Sequence, residues 1–157
     1  MIKIPEVLRN HAVAAGAESW LADLPMLVHH VEQQWDIAVG RPLAGATEAY
    51  VAEATTSAGQ PVILKVLLPL SGRMGRHEVT ALRLADGQGC VALLRDAPDL
   101  GALLLERLGP PLFALGVPIV RRHEILCDTA ARMWRPAPDC GLPTGAIHPG
   151  PARSVGK

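Results

Sequence analysis

The stretch Pro61-Val62-Ile63-Leu64-Lys65-Val66-Leu67-Leu68 constrains this chain more than any other. It is a run of strand-forming apolar residues interrupted by a single charge. An ammonium group on a buried strand is costly unless an anionic partner meets it. Thirteen positions further on, Glu78 falls in a segment of helical character. A strand bearing a lysine and a following helix bearing a glutamate are therefore the first pair to consider together.

The elements around that run predict an α+β domain. From Glu18 to Trp35, Trp20, Leu21, Leu24, Leu27, Val28, Val31 and Trp35 recur at helical spacing, with Pro25 inside the pattern as a start or kink of its second half. Residues 1–17 read as a lead-in, and Gly40-Arg41-Pro42 as the exit from the helix. Leu43 to Leu68 reads as strands. Ala49–Thr55 and Val62–Leu68 form a hairpin about the turn Thr56-Ser57-Ala58-Gly59-Gln60, with one further short strand. Arg73 to Ala85 is expected to be helical, with Val79, Leu82 and Met74 on one side, and Asp86-Gly87-Gln88-Gly89 ends it. Cys90–Arg95 and Ala102–Leu108 make a second hairpin across the turn Asp96–Asp99. Gly109-Pro110-Pro111 breaks the pattern, and Ile119–Trp134 forms a last helix with Ile119, Leu126, Ala130 and Met133 along one face and Cys127 buried. After Ala137 the chain is rich in Pro and Gly, which suits a loose tail. The divisions are residues 1–40 (helical), 41–109 (a lobe of sheet and crossing helix), 110–136 (connector and start of a truncated second lobe) and 137–157 (flexible tail).

Fifteen basic and fifteen acidic residues cancel, without a basic face of the kind nucleic-acid binding requires. Cys90, Cys127 and Cys140 are odd in number and lack CxxC spacing, which suits a reduced, cytoplasmic chain. No apolar run approaches membrane-spanning length, and Met1 to Trp20 is too mixed for a secretory signal.

The Lys65 and Glu78 pattern suits phosphoryl transfer. In kinases, a strand lysine holds the α/β-phosphates and a carboxylate on the next helix keeps that lysine extended toward them. Simpler assignments stay open for both residues: Lys65 as a guard charge on an exposed edge strand, and Glu78 on a solvated helix face. Five collinear stretches add a resemblance. Trp20-Leu21-Ala22-Asp23-Leu24-Pro25, Val62-Ile63-Leu64-Lys65, His77–Leu84, Gly101–Leu108 and Ala130–Pro136 resemble the N-terminal half of the bacterial aminoglycoside and hydroxyurea phosphotransferases, of the streptomycin-kinase type. The resemblance covers roughly residues 5 to 138.

That resemblance implies a protein-kinase-like N-lobe: a small antiparallel sheet with a crossing helix, an N-terminal helix before it and a linker helix after it. It implies that Lys65 contacts phosphates and that Glu78 pairs with it. It also implies that backbone groups near Glu106 and Leu108 hydrogen-bond an adenine ring at a hinge, and that Gly45-Ala46-Thr47-Glu48-Ala49 occupies the phosphate-covering turn. An ordinary hairpin turn accounts for this last stretch equally well, because it holds one glycine. The implied cofactors are ATP and Mg²⁺, and the implied acceptor is a small hydroxyl-bearing, antibiotic-like compound.

The family's second-lobe chemistry, a His-Gly-Asp loop with a downstream Asn and Asp for the metal, has no counterpart in these residues. Asn10 is the only asparagine. Leu94-Arg95-Asp96 falls in a predicted hairpin, and His148-Pro149-Gly150 lacks the aspartate. A truncated kinase without activity of its own is therefore expected, with a non-catalytic nucleotide- or partner-binding remnant as the alternative. His77-Glu78 and His123-Glu124 are not zinc-protease motifs, because the second histidine is replaced by Ala81 and Cys127.

Overall fold

The computed structural model describes residues 2–69, 74–137 and 140–142. Two helices lead, α1 (Glu6–Ala14) and α2 (Glu18–Trp35), followed by strands β1 (Ile37–Pro42), β2 (Ala49–Thr56) and β3 (Pro61–Leu67). Helix α3 (Met74–Ala85), strands β4 (Leu93–Ala97) and β5 (Ala102–Glu106), and helix α4 (Ile119–Met133) complete the chain. Short 3₁₀ turns occupy Pro98–Leu100 and Leu112–Leu115. The strands form one five-stranded sheet in the order β1-β2-β3-β5-β4, every pair antiparallel. This is α+β architecture with a crossing helix, as in a kinase N-lobe.

Alternation decides which side of each strand faces what. On β2, Tyr50, Ala52 and Ala54 are buried; on β3, Val62, Leu64 and Val66; on β5, Ala102 and Leu104. These residues pack in one core with Leu8 and Ala12 of α1 and with Trp20, Leu21, Leu24, Val28, Val31 and Trp35 of α2. Leu24, Val28 and Val31 are fully buried, and burying each such side chain contributes about 1.5–3 kcal/mol. The opposite sheet face carries a smaller cluster: Leu82 of α3 against Leu103 and Leu105, with Ile63, Leu67 and Val79 beside them. The sheet therefore has α1 and α2 behind it and α3 in front.

Several boundaries differ from the sequence reading. Residues 6–14, read as lead-in, form α1, because Leu8 and Ala12, one turn apart, both find the core. The first helix ends earlier than Gly40-Arg41-Pro42. Asp36 takes a left-handed conformation (φ 54°) that turns the chain straight into β1, so the extra strand lies at 37–42 and not after Leu43. α2 runs unbroken through Pro25, which is exposed, so water can reach the backbone bond that proline forfeits. The strand placed at Cys90–Arg95 runs from Leu93 to Ala97, so Asp96 and Ala97 belong to it and not to the turn. The strand placed at Ala102–Leu108 stops at Glu106.

α4 matches its expected span to within a residue, yet it buries none of its residues, and Cys127 is exposed rather than buried. It comes close to Gly89, in the loop after α3. A Cβ there would collide with the Thr129 carbonyl oxygen and the Met133 backbone nitrogen, and Gly89 has φ +75°. Arg73, residues 143–157 of the expected tail and His148-Pro149-Gly150 lie outside the described residues. No helix among the described residues is long and apolar enough to cross a membrane.

Candidate functional site

Lys65 is not on an edge. β3 is the central strand, with β2 on one side and β5 on the other. Its register places Lys65 between Val51 and Leu103. Because Leu64 and Val66 point into the α2 core, Lys65 points to the α3 side. There its Nζ donates to Oε1 of Glu78 at 2.5 Å, with the two side chains 25% and 33% exposed. A half-buried, charge-assisted contact of this kind is worth about 1.5–3 kcal/mol.

α3 is held in place by packing and charge. Leu82 is buried among Leu103 and Leu105, and Arg83 pairs with Asp96 of β4 at 2.7 Å. These contacts fix the helix one turn after Glu78, whose carboxylate meets Lys65.

Lys65 and Glu78 line a cleft of about 450 Å³ together with Gly45–Ala49, Val51, Leu67, Leu68 and Gly75. Gly45 has φ +93°, a conformation glycine adopts without penalty. Leu68 N–H donates to the Glu48 carbonyl at 2.9 Å, which ties the β1–β2 turn to the end of β3. Among the described residues no backbone hydrogen bond uses the N–H groups of Gly45, Ala46 or Thr47. A glycine-containing turn that lines the same cleft as an ammonium group is suited to anion binding.

The sequence-predicted residues thus separate into two groups. Lys65, Glu78 and Gly45 converge on one cleft. Glu106 and Leu108 do not line it. Glu106 is the last residue of β5, opposite Val62, and its N–H donates to the Ala92 carbonyl at 3.0 Å. Leu108 lies beyond the strand and is exposed. Glu106 stands three register positions from Leu103, the neighbour of Lys65, or about 10 Å along the strand.

One cluster escaped the sequence reading. Glu53 Oε1 accepts from Arg107 Nη2 at 2.8 Å and from Arg41 Nη2 at 3.0 Å. The hydrogen bond from Arg41, then that from Arg107, holds the Glu53 carboxyl below the usual carboxylate range. The available signal was the one Lys65 gave, a lone charge inside the strand Ala49–Thr55. On the other face, the Tyr50 hydroxyl is buried without a hydrogen-bond partner among the described residues, and burial, with the Glu32 carboxylate adding to it, pushes its pKa up.

With this geometry in view, comparison with known proteins is decisive. Residues 34–149 match the family described as aminoglycoside/hydroxyurea antibiotic resistance kinase. The chain belongs to that family. It is 32% identical over 111 residues to streptomycin 6-kinase of Streptomyces glaucescens, a match covering 69% of this chain and 36% of that protein. It is 36% identical over 112 residues to hydroxyurea phosphotransferase of Kitasatospora aureofaciens, covering 69% of this chain and 32% of that protein. This family member therefore spans about a third of the length of the relatives it matches.

Proposed function

We propose that these residues form the nucleotide-binding lobe of an ATP-dependent phosphotransferase that moves the γ-phosphate to a hydroxyl of an aminoglycoside-like or hydroxyurea-like small molecule. The observation that carries this reading is the Lys65–Glu78 pair on the wall of a cleft that the Gly45–Ala49 turn also lines. In this role Lys65 lies against the α/β-phosphates, Glu78 keeps its ammonium extended, and the amides of the turn cover the phosphate oxygens. The base lies toward Glu106 and Leu108, the direction in which β3 and β5 leave the turn.

Among the described residues the cleft offers magnesium no preformed cluster of protein ligands. No group of three or more His, Cys, Asp or Glu side chains among the described residues could hold a metal, and Glu78 is already committed to Lys65. The sequence also contains no His-Gly-Asp triplet to orient an acceptor hydroxyl. We therefore expect the 157 residues alone to bind ATP without transferring phosphate. ATP-dependent transfer by this chain that Lys65→Met abolishes would refute that expectation.

A thermal-shift titration with ATP tests the binding claim. At roughly a hundred times Kd, ligand stabilises by about 2.7 kcal/mol, so the melting temperature rises, and Lys65→Ala removes the rise. A chain that does not respond to ATP contradicts the reading. It would favour a partner-binding module, a role suggested by the exposed Ile119, Val120, Leu126 and Trp134 at the C-terminal helix.

A further inference from the structure

We propose that Arg107 recognises the nucleotide's base. Its guanidinium, held across β3 by Glu53, stacks on a purine ring, and Glu53 is the positioning residue that keeps it there. This rests on the nucleotide-lobe reading above.

The sheet order supplies the geometry. β2 and β5 flank β3 on opposite sides, so a 2.8 Å contact between Glu53 on β2 and Arg107 at the end of β5 has to span β3. The flanking strands lie about 10 Å apart, which an arginine and a glutamate reaching toward each other can bridge. Glu53 points to the Lys65 side, because its neighbours Ala52 and Ala54 are buried on the α2 side. Ile63 stands opposite both Glu53 and Leu105, two residues from Lys65 and on the side away from the Gly45–Ala49 turn. Phosphates at Lys65 therefore leave the base to lie toward Ile63, where the Arg107 side chain crosses.

The electrostatics leave this guanidinium available. Two arginines converge on one carboxylate oxygen, so the cluster carries a net positive charge, and the Arg107 side chain is 40% exposed. Glu53 stays ionised well into acid because its carboxyl is held below the usual range by both arginines. A planar guanidinium fixed at its edge offers a face to an aromatic ring. Such stacking follows ring size more than edge hydrogen bonding, so it favours purines over pyrimidines. As a contribution to stability, an exposed ion pair would matter little.

Calorimetric titration of the 157-residue chain with ATP, CTP and inorganic tripolyphosphate tests this. Arg107→Met should weaken ATP binding about tenfold, weaken tripolyphosphate binding less than about twofold, and narrow the ATP-to-CTP preference. Arg107→Lys, which keeps the charge but loses the plane, should behave like Arg107→Met, and Glu53→Gln should shift the preference in the same direction by less. Unfolding midpoints confirm that each variant folds. An unchanged ATP-to-CTP preference in folded Arg107→Met, a parallel loss of tripolyphosphate binding, or full rescue by lysine would overturn the inference while leaving the nucleotide lobe standing. A wild-type chain that binds none of the three ligands would overturn both.

Discussion

α2 and α4 are amphipathic helices of similar length, 18 and 15 residues, yet their fates in the fold are opposite. α2 buries six side chains against the back of the sheet; α4 buries none, and Ile119, Val120 and Leu126 are 61%, 66% and 56% exposed. Periodicity says that a helix has an apolar face, while a neighbouring surface decides whether that face is covered. For α2 the surface is the set of inward residues on β2, β3 and β5. The same packing holds the strand that presents Lys65 to the cleft. α4 contributes no buried side chain and meets the loop after α3 at Gly89.

Substitutions can break the contrast or sharpen it. Leu24→Ala, at a fully buried position on α2, should cost about 2–5 kcal/mol. Leu126→Ala on α4 should stay within about 0.5 kcal/mol. Urea denaturation measures both, and similar losses would show that α4 is packed. Gly89→Ala should cost about 1–3 kcal/mol, because it strains a left-handed position and pushes on the α4 backbone. Hydrogen exchange should then rise in α4 and not in α2.

Smaller effects come from the ionisable groups of the sheet. Glu53 titrates lower in the folded chain than in the unfolded one, so its contribution is present above the unfolded value and is lost as pH falls through the folded value. Glu53→Gln should therefore flatten the acid limb of a stability-against-pH curve, while an unchanged limb would exclude the ion cluster. Tyr50→Phe removes a buried hydroxyl that has no partner among the described residues and should stabilise by up to about 1 kcal/mol. It should also remove the fall in stability expected as pH rises above the ordinary tyrosine value of 10.0.

Much of the fold was legible in the sequence because its signals are local. The spacing from Trp20 to Trp35 marks the body of α2, though not its exit, and the hairpin about Gly59 follows from turn chemistry between two β-rich runs. Short elements were not legible. α1 has two core contacts in nine residues, and β1 follows a helix end made by an aspartate in a glycine-like conformation. The meeting of Lys65 and Glu78 was readable, since a charge within an apolar strand demands a partner. The Glu53 cluster obeys the same rule, but its partners come from β1 and from beyond β5, so only the sheet order identifies them.

The central claim is that Lys65 and Glu78 act as one unit on bound nucleotide. A double-mutant cycle in ATP affinity, with Lys65→Ala, Glu78→Ala and the double variant, addresses it directly. If Glu78 acts by holding Lys65, each single change weakens binding and the double variant binds no more weakly than Lys65→Ala alone. Additive losses, or ATP binding indifferent to Glu78→Ala, would contradict it.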